Sequence, residues 1–293
     1  MSGSRRGPGK AKAPSPVTQA EISTANQFEY IDGQLRPSQA ALFEHFAAES
    51  ELAVRSGEPT LDLTYGPHPR QTLDLFRTTQ PRRGVVAYFH AGYWQSRDKS
   101  GFRFLAPPLA ADGFDVAVIN YPLSPELGVM AIVAAAAAAL PVLAELTDSA
   151  PLILVGHSAG AQIAVELAMA PPADIGPIQG IVSISGVFDL EPLLDTSVNA
   201  KLGLDPATAR AASPIHRVGS GAPRTLFAVG ALETRAFQDQ TARMAAAWAE
   251  AGNGAVQLTV PDADHFSILT ELCREGGLLR EAIATFDLPP SAS

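Results

Sequence analysis

The sequence predicts an α/β fold, in which a mostly parallel β-sheet carries helices on both of its faces. Two kinds of segment alternate along the chain and support this prediction. Apolar runs with the length of buried strands occur at 85–89, 151–155, 225–230 and 256–260, and helix-like runs occur at 161–168 and 240–250. Because consecutive parallel strands need a crossover connection, usually a helix, this alternation favours a parallel sheet. A chain of 293 residues with this pattern is commonly a single domain.

The segment from Gly156 to Gly160 is the most informative stretch of the sequence. It reads Gly-His-Ser-Ala-Gly and lies between the apolar run 151–155 and the helix-like run 161–168. This context is typical of a nucleophile elbow, a strained turn that holds a serine hydroxyl above the sheet edge. The two glycines let the strand and the helix approach each other closely. Ser158 is therefore the predicted nucleophile, with a plain Gly/Ser turn as the alternative.

A second motif at 90–94 reads His-Ala-Gly-Tyr-Trp and follows the first of the buried runs. In hydrolases with a nucleophile elbow, the loop after this strand donates backbone N–H groups to the oxyanion. The residue after the nucleophile supplies another N–H group. We therefore expect an oxyanion hole formed by Gly92, Tyr93 and Ala159. We expect His90 to brace the loop by hydrogen bonding.

Three aromatic residues are candidate substrate contacts: Tyr93, Trp94 and Tyr121. They fall on loops predicted at the ends of strands, where a flat ring of a substrate could stack on them. The alternative is that Tyr93 and Trp94 are ordinary core aromatics.

The acid and the base of a triad are expected after the serine, in that order. Glu233 is the first carboxylate beyond the predicted strand 225–230, and His265 follows the last predicted strand. Of the six histidines, only His265 lies after both that strand and the acid, so it is the predicted base. Asp239 is the alternative acid, but it falls on a predicted helix and should point away. Asp262 and Asp264 are expected to form the turn before the histidine.

Together these motifs resemble those of the kynurenine formamidase (arylformamidase) group of the α/β-hydrolase superfamily. The resemblance covers roughly residues 60–270. Besides the two motifs above, it rests on four stretches at 65–76, 120–126, 185–190 and 233–237. It implies an α/β-hydrolase fold with an eight-stranded sheet. It also implies a serine hydrolase whose triad of Ser158, Glu233 and His265 removes a small acyl group, such as formyl, from an aryl amine through an acyl-enzyme.

Two other functions stay open at this point. A carboxylesterase acting on short-chain esters would share every catalytic residue, and a non-catalytic, ligand-binding member of the fold would usually lack one of them. One position departs from the family, since Ala91 stands where the relatives have a glycine. That methyl group costs about 1 kcal/mol if residue 91 must adopt a positive φ, and nothing otherwise.

Composition narrows the class of protein and of partner. The net charge of −9 argues against a nucleic-acid surface, and a small-molecule substrate is expected instead. Cys273 is the single cysteine, which fits a reducing compartment and hence a cytoplasmic protein. We interpret it as an apolar filler on a C-terminal helix, not as a nucleophile. No metal-ligand spacing or phosphate loop is present, and no apolar run reaches about 18 residues without a polar break or a proline, so no metal, cofactor or membrane span is expected.

The domain organisation is predicted to be simple. Residues 1–18 form a basic tail expected to be disordered, without the apolar stretch of a secretory signal, and 19–293 form one domain. Residues 20–55 are expected to be helical and to lie either near the active-site mouth or against the second subunit of a homodimer. The segment 190–222 is predicted to form a small helical cap over the pocket.

Overall fold

The computed structural model describes residues 24–286; the predicted basic tail lies outside them. The strands are β1 (Thr60–Thr64), β2 (Thr72–Phe76), β3 (Gly84–Phe89), β4 (Phe114–Ile119), β5 (Leu152–His157), β6 (Ile178–Ile184), β7 (Thr225–Gly230) and β8 (Ala255–Val260). The helices are α1 (Thr24–Tyr30), α2 (Gln39–Gly57), α3 (Ala106–Ala111), α4 (Val129–Ala137), α5 (Ala139–Leu146), α6 (Ala159–Met169), α7 (Asn199–Leu202), α8 (Pro206–Ala211), α9 (Arg235–Glu250) and α10 (Leu278–Thr285).

The eight strands form one sheet in the order β1-β2-β4-β3-β5-β6-β7-β8. β2 runs antiparallel to both of its neighbours, and the six strands from β4 to β8 in this order pair in parallel. The predicted mostly parallel eight-stranded sheet is therefore confirmed. Because the parallel strands all point the same way, the loops after β3, β5, β6, β7 and β8 meet at one edge.

Each face of the sheet has its own hydrophobic core, as strand alternation requires. The core on one face includes Ala87 of β3 and residues of α4, α6 and α9, among them Trp248. The core on the other face includes Tyr88 and residues of α2, α3 and α10, among them Phe46. The helices expected on both faces are thus present, and they fix the strand ends on which the site is built.

The N-terminal arm, defined here as residues 24–39, is helical but not continuous with the rest of α2. α1 ends at Tyr30, a 3-10 turn covers Asp32–Gln34, and α2 begins at Gln39 after Pro37. The helical prediction for 20–55 is confirmed for most of the described residues, with a break between the two helices. This break lets the arm turn across the sheet edge where the loops meet.

Cys273 and the stretch Val129–Leu146 bear on two of the predictions made from composition. Cys273 caps the 3-10 helix Ser267–Leu272 and precedes α10, so its predicted placement on a helix is wrong. Burial raises the pKa of its thiol to about 12, which makes it a poor nucleophile. By length and composition, one described helical stretch, Val129–Leu146, is apolar enough to cross a membrane, with 44% of it buried in the fold. The core helix of a globular protein can have the same length and composition, so this stretch is weak evidence for a membrane span.

Candidate active site

Ser158 lies at the turn between β5 and α6, with φ 56° and ψ −117°. A residue other than glycine rarely adopts a positive φ. The backbone at Ser158 is therefore strained, as a nucleophile elbow requires. The strand before it is fully buried, and α6 begins at the next residue. The serine hydroxyl therefore lies at the N-terminal end of a helix, where negative charge is favoured.

Gly156 and Gly160 make this turn sterically feasible. A Cβ at Gly156 would lie 2.1 Å from the carbonyl oxygen of Gly160, and a Cβ at Gly160 would lie 2.0 Å from that of Phe89. Neither contact is tolerable, so both positions need glycine. The close approach predicted from the sequence is thus present between β5, α6 and the end of β3.

The structure brings the predicted acid and base together. Nδ1 of His265 lies 2.7 Å from Oε2 of Glu233, and both side chains are buried. Oε1 of Glu233 accepts hydrogen bonds from the backbone N–H of Gly230 at 2.8 Å and from Ser185 Oγ at 2.5 Å. A buried carboxylate is costly unless it is paired in this way. The Glu233 contact fixes Nδ1 as the protonated nitrogen, which leaves Nε2 of His265 to act on a neighbouring group.

His157, the residue before Ser158, contacts the loop that carries the predicted base. Its Nε2 contacts the backbone oxygen of His265 at 2.6 Å, and the two rings are 4.8 Å apart. Burial, together with the proximity of His265, holds the pKa of His157 well below its usual range. His157 therefore stays neutral and donates this hydrogen bond, which positions the histidine loop.

The loop after β3 has the backbone expected of an oxyanion hole. Gly92, Tyr93 and Trp94 have φ values of 133°, 51° and 55°, and the carbonyl of Gly92 accepts hydrogen bonds from the N–H groups of Gln95 and Ser96. Ala91 is absent from the positive-φ residues, so its methyl group costs nothing here.

Three N–H groups remain for an oxyanion. Within residues 24–286, those of Gly92, Tyr93 and Ala159 form no hydrogen bond to a protein acceptor. His90 braces the loop as expected, since its Nδ1 lies 2.7 Å from the carbonyl oxygen of Ala91 and its ring stacks on Tyr121.

A cavity of about 180 Å³ contains Ser158 and His265. Its remaining walls come from the oxyanion loop, from Phe266 and, above all, from the N-terminal arm: Tyr30, Ile31, Gln34, Leu35 and Gln39. Of the two locations left open for the arm, the structure thus places it at the active-site mouth.

Backbone and side-chain contacts attach the arm to the rest of the molecule. Tyr93 Oη donates to the carbonyl of Tyr30, and Glu29 Oε2 accepts from the N–H of Ala236 at 2.9 Å. Gln34 Nε2 also donates to the hydroxyl of Thr234. The arm is therefore joined both to the oxyanion loop and to the segment after Glu233.

The segment 190–222 is helical, as predicted, but its predicted place over the pocket is wrong for this cavity. None of the described cavity-lining residues belongs to it. Instead, the backbone N–H of Ser197 donates to Gln27 Oε1 at 2.9 Å, so the segment supports the arm from outside. The arm, not the segment, covers the serine.

Substrate contact by Trp94 and Tyr121 is also contradicted. Both side chains are fully buried and do not line the cavity. Trp94 Nε1 donates to Gln162 Oε1 at 3.1 Å, and Tyr121 Oη donates to the carbonyl of His90 at 2.6 Å. They stabilise the oxyanion loop from within the core. Tyr93 does line the cavity, so of the three it alone can touch a substrate.

The competing carboxylates lie elsewhere. Asp239 is on α9, is exposed and pairs with Arg235 at 3.4 Å. Asp264 accepts from the backbone N–H groups of Phe266 and Ser267 and so shapes the turn before the next helix, while Asp262 has a positive φ of 56°. Their predicted turn-forming role agrees with these contacts.

One further group of side chains could in principle approach a cation. Oxygen and nitrogen atoms of Asp189, Glu191 and His216 lie within 4.8 Å of one another. Asp189 already forms an ion pair with Arg243 at 2.9 Å, and none of the three lines the cavity with Ser158. The arrangement is that of a surface ion-pair cluster.

A family model for the α/β hydrolase fold matches residues 86–269, which include both glycine motifs, Glu233 and His265.

The chain belongs to the α/β hydrolase fold family.

Two relatives of this chain carry the name of an enzyme. Kynurenine formamidase of Danio rerio is 31% identical over 247 residues, which cover 80% of this chain and 84% of the relative. That of Salmo salar is 28% identical over 235 residues, with 76% and 80% coverage. This α/β hydrolase is therefore a hydrolytic enzyme.

Solved structures agree on the fold. A candidate thioesterase from Silicibacter sp. TM1040 superposes with a TM-score of 0.79 at 30% identity, covering 86% of this chain and 96% of that one. An esterase of Pyrobaculum calidifontis gives 0.66 at 20% identity, covering 91% and 98%. The second likeness shows the α/β hydrolase fold alone.

Sequence reasoning missed two contributors to the site of this α/β hydrolase. Ser185 follows β6, the strand beside β7, and it contacts Glu233. The sequence indicates this contact only through the presence of a polar residue at the end of that strand. Tyr30 lines the cavity from the arm, and no motif marks it.

Proposed function

We propose that this protein is a serine hydrolase that cleaves a small acyl group, such as formyl, from an aryl amine. The observation that carries the proposal is the 2.7 Å contact between Glu233 and His265, the histidine that lines one small cavity together with Ser158. Ser158 has the role of nucleophile, His265 that of base, and Glu233 that of the acid that orients the base. The relatives named kynurenine formamidase support the choice of substrate class.

Acylation follows from the arrangement of these groups. Ser158 Oγ attacks the carbonyl carbon of the amide while Nε2 of His265 accepts the hydroxyl proton. Glu233, hydrogen-bonded to Nδ1, stabilises the imidazolium that forms. The N–H groups of Gly92, Tyr93 and Ala159 bind the developing oxyanion. The C–N bond then breaks as His265 gives its proton to the leaving amine.

Deacylation uses the same groups in reverse. Water attacks the acyl-enzyme, His265 accepts its proton, and the carboxylic acid leaves as Ser158 regains its hydrogen. Every proton in both halves therefore travels through His265. The homodimer and the cytoplasmic location stay predictions.

The cavity supports a small acyl group and a flat leaving group. Its volume of about 180 Å³ is below the usual range for drug-sized ligands, and the arm closes it on one side. Tyr30, Tyr93 and Phe266 give it aromatic walls on which an aryl amine can pack. An aryl amine also leaves more readily than an alkyl amine.

A substrate panel tests the proposal. Formanilides should be hydrolysed, with kcat/KM above that for p-nitrophenyl butyrate once the greater intrinsic reactivity of the ester is allowed for. Ser158→Ala serves as the background control for both substrates. Turnover of p-nitrophenyl esters without any turnover of formanilides would replace this proposal with a short-chain carboxylesterase.

A further inference from the structure

Gln34 is a buried polar residue in the wall of the catalytic cavity. It lines the cavity of about 180 Å³ together with Ser158 and His265, and only 5% of the residue is exposed. Its side-chain oxygen Oε1 is buried, and within residues 24–286 no group donates a hydrogen bond to it. A buried acceptor without a donor costs free energy, so a ligand that supplies a donor from the cavity would relieve that cost.

The contacts of the other branch of this carboxamide fix which atom is the oxygen. Nε2 of Gln34 donates to the hydroxyl of Thr234 and, at 3.3 Å, to the carbonyl of Glu29. The Thr234 hydroxyl donates its single proton to the same carbonyl, so both groups can only accept from Gln34. The carboxamide therefore cannot turn over without losing both bonds, and Oε1 stays the free acceptor.

The backbone of Gln34 is held in place as well. Its N–H donates to the carbonyl of Ile31 at 3.2 Å, and its own carbonyl accepts from Nε2 of Gln39 at 2.8 Å. Ile31 and Gln39 line the same cavity. The acceptor therefore belongs to a part of the arm that main-chain and side-chain contacts fix, and its position does not depend on a freely rotating side chain.

We propose that Oε1 of Gln34 accepts a hydrogen bond from the N–H group of the scissile amide, so that this residue selects secondary amides over esters. This inference rests on the proposed function. A formanilide has a single hydrogen-bond donor, its amide N–H, and binding of its carbonyl oxygen in the oxyanion hole leaves that donor free. Ser158 Oγ and His265 Nε2 are engaged in the reaction itself, which leaves Gln34 Oε1 as the acceptor for this group.

An ester places an oxygen atom where the amide has its N–H group. It fills the cavity but offers no donor, so Oε1 stays buried and unpartnered in the complex and in the transition state. The N–H bond of the amide is not broken in either half of the reaction, so the contact persists until the amine leaves. Gln34 then determines specificity through binding, while His265 alone transfers protons.

The test compares formanilide with phenyl formate, in which oxygen replaces the N–H group. The quantity measured is the ratio of kcat/KM for the amide to kcat/KM for the ester, because the greater intrinsic reactivity of the ester then cancels between variants. Gln34→Met keeps a side chain of similar length without the amide oxygen, and it should lower this ratio about tenfold. Ser158→Ala gives the background rate, and circular dichroism checks the fold. An unchanged ratio in folded Gln34→Met would overturn the inference.

Gln39→Met is the matched control. Gln39 also lines the cavity and bonds the arm, but it is half-buried, and its oxygen is not one of the buried, unpartnered atoms of the described residues. Thr234→Val removes one partner of Gln34 Nε2 and loosens the arm, but it keeps Oε1. In both variants the ratio should stay within about twofold of the wild-type value. A tenfold fall in either would assign the effect to the position of the arm and overturn the inference.

A binding measurement separates this inference from the proposed function. If formanilide binds without being cleaved, it inhibits the hydrolysis of phenyl formate, and its inhibition constant reports the contact without turnover. Absence of cleavage would defeat the formamidase proposal. The role of Gln34 would still be supported if Gln34→Met weakened this inhibition about tenfold and Gln39→Met did not. Absence of inhibition, or equal inhibition constants in the wild type and Gln34→Met, would overturn the role of Gln34.

Discussion

Ser185 donates a hydrogen bond of 2.5 Å to Oε1 of Glu233, the carboxylate oxygen that does not face His265. Ser185 follows β6, whereas Glu233 follows β7, so two adjacent parallel strands supply the acid and the group that holds it. Because Ser185 holds Oε1 of Glu233, the direction in which Oε2 points toward His265 is also fixed. The orientation of His265, the proposed base, therefore depends on a residue outside the proposed triad.

Loss of this contact should be measurable. Ser185→Ala should lower kcat by about tenfold, because a mobile carboxylate orients the imidazole less well, while the fold is kept by the remaining bond from Gly230. Ser185→Thr, which restores a hydroxyl, should recover part of the loss. An unchanged kcat in the alanine variant would contradict the positioning role.

Removal of the nucleophile should abolish turnover. Ser158→Ala is expected to lose about 10³-fold or more in kcat, as triad knockouts do, because it removes the hydroxyl at the strained turn that lines the cavity with His265. Circular dichroism should show an unchanged fold, and a fluorophosphonate probe should label the wild-type enzyme only. Retention of a tenth of the activity by pure, folded Ser158→Ala would exclude Ser158 as nucleophile.

The two candidate acids should behave differently. Glu233→Gln is expected to lower kcat by about 10²–10⁴-fold, because a neutral amide cannot stabilise the imidazolium. Asp239→Asn is the matched control, since this carboxylate is exposed and pairs only with Arg235 among the described contacts. Steady-state kinetics of both variants decide the matter, and the reverse ranking would overturn the choice of acid.

Stability should fall as the pH drops below neutrality. Burial lowers the pKa of His90 to about 4 from an ordinary value of 6.5, so between these values the unfolded chain binds a proton that the folded chain does not. The contribution is complete above pH 6.5 and amounts to about 2 kcal/mol lost on going from pH 7.5 to pH 5. Urea unfolding at both pH values measures it. His90→Phe, which keeps a ring between Phe102 and Tyr121, should reduce the pH dependence.

Loosening the arm should weaken substrate binding more than chemistry. Tyr93→Phe removes the hydroxyl that bonds the carbonyl of Tyr30, and should raise KM about fivefold with little change in kcat. Tyr88→Phe is a fitting control, because the Tyr88 hydroxyl is buried and without a hydrogen-bond partner in the described structure. Equal KM values for Tyr93→Phe and the wild type would show that this contact does not hold the arm.

Local sequence patterns predicted four of the eight strands and the turn at Ser158, because each depends on residues close together in the chain. The turn at Ser158 needs only Gly156, Gly160 and their flanking runs. The direction of Trp94 could not be predicted in this way. Positive φ values at two successive residues turn its ring back into the core, onto Gln162 of a distant helix.

The cover of the cavity was likewise beyond sequence reasoning. The segment 190–222 has helical composition near the site, which made it the natural candidate. The arm occupies that place through contacts such as Glu29 to Ala236, which are 207 residues apart in the sequence. The sequence around either residue of such a contact does not indicate which distant residue it will meet.

The position of the arm has a consequence for biosynthesis. Residues 24–39 are made before the other residues that line the cavity, whereas their partners Thr234 and Ala236 follow Gln34 and Glu29 by 200 and 207 residues. Bringing together segments so far apart is entropically slow until the sheet between them exists. We therefore expect the nascent chain to build its scaffold first and to acquire an enclosed substrate chamber only at the end of folding.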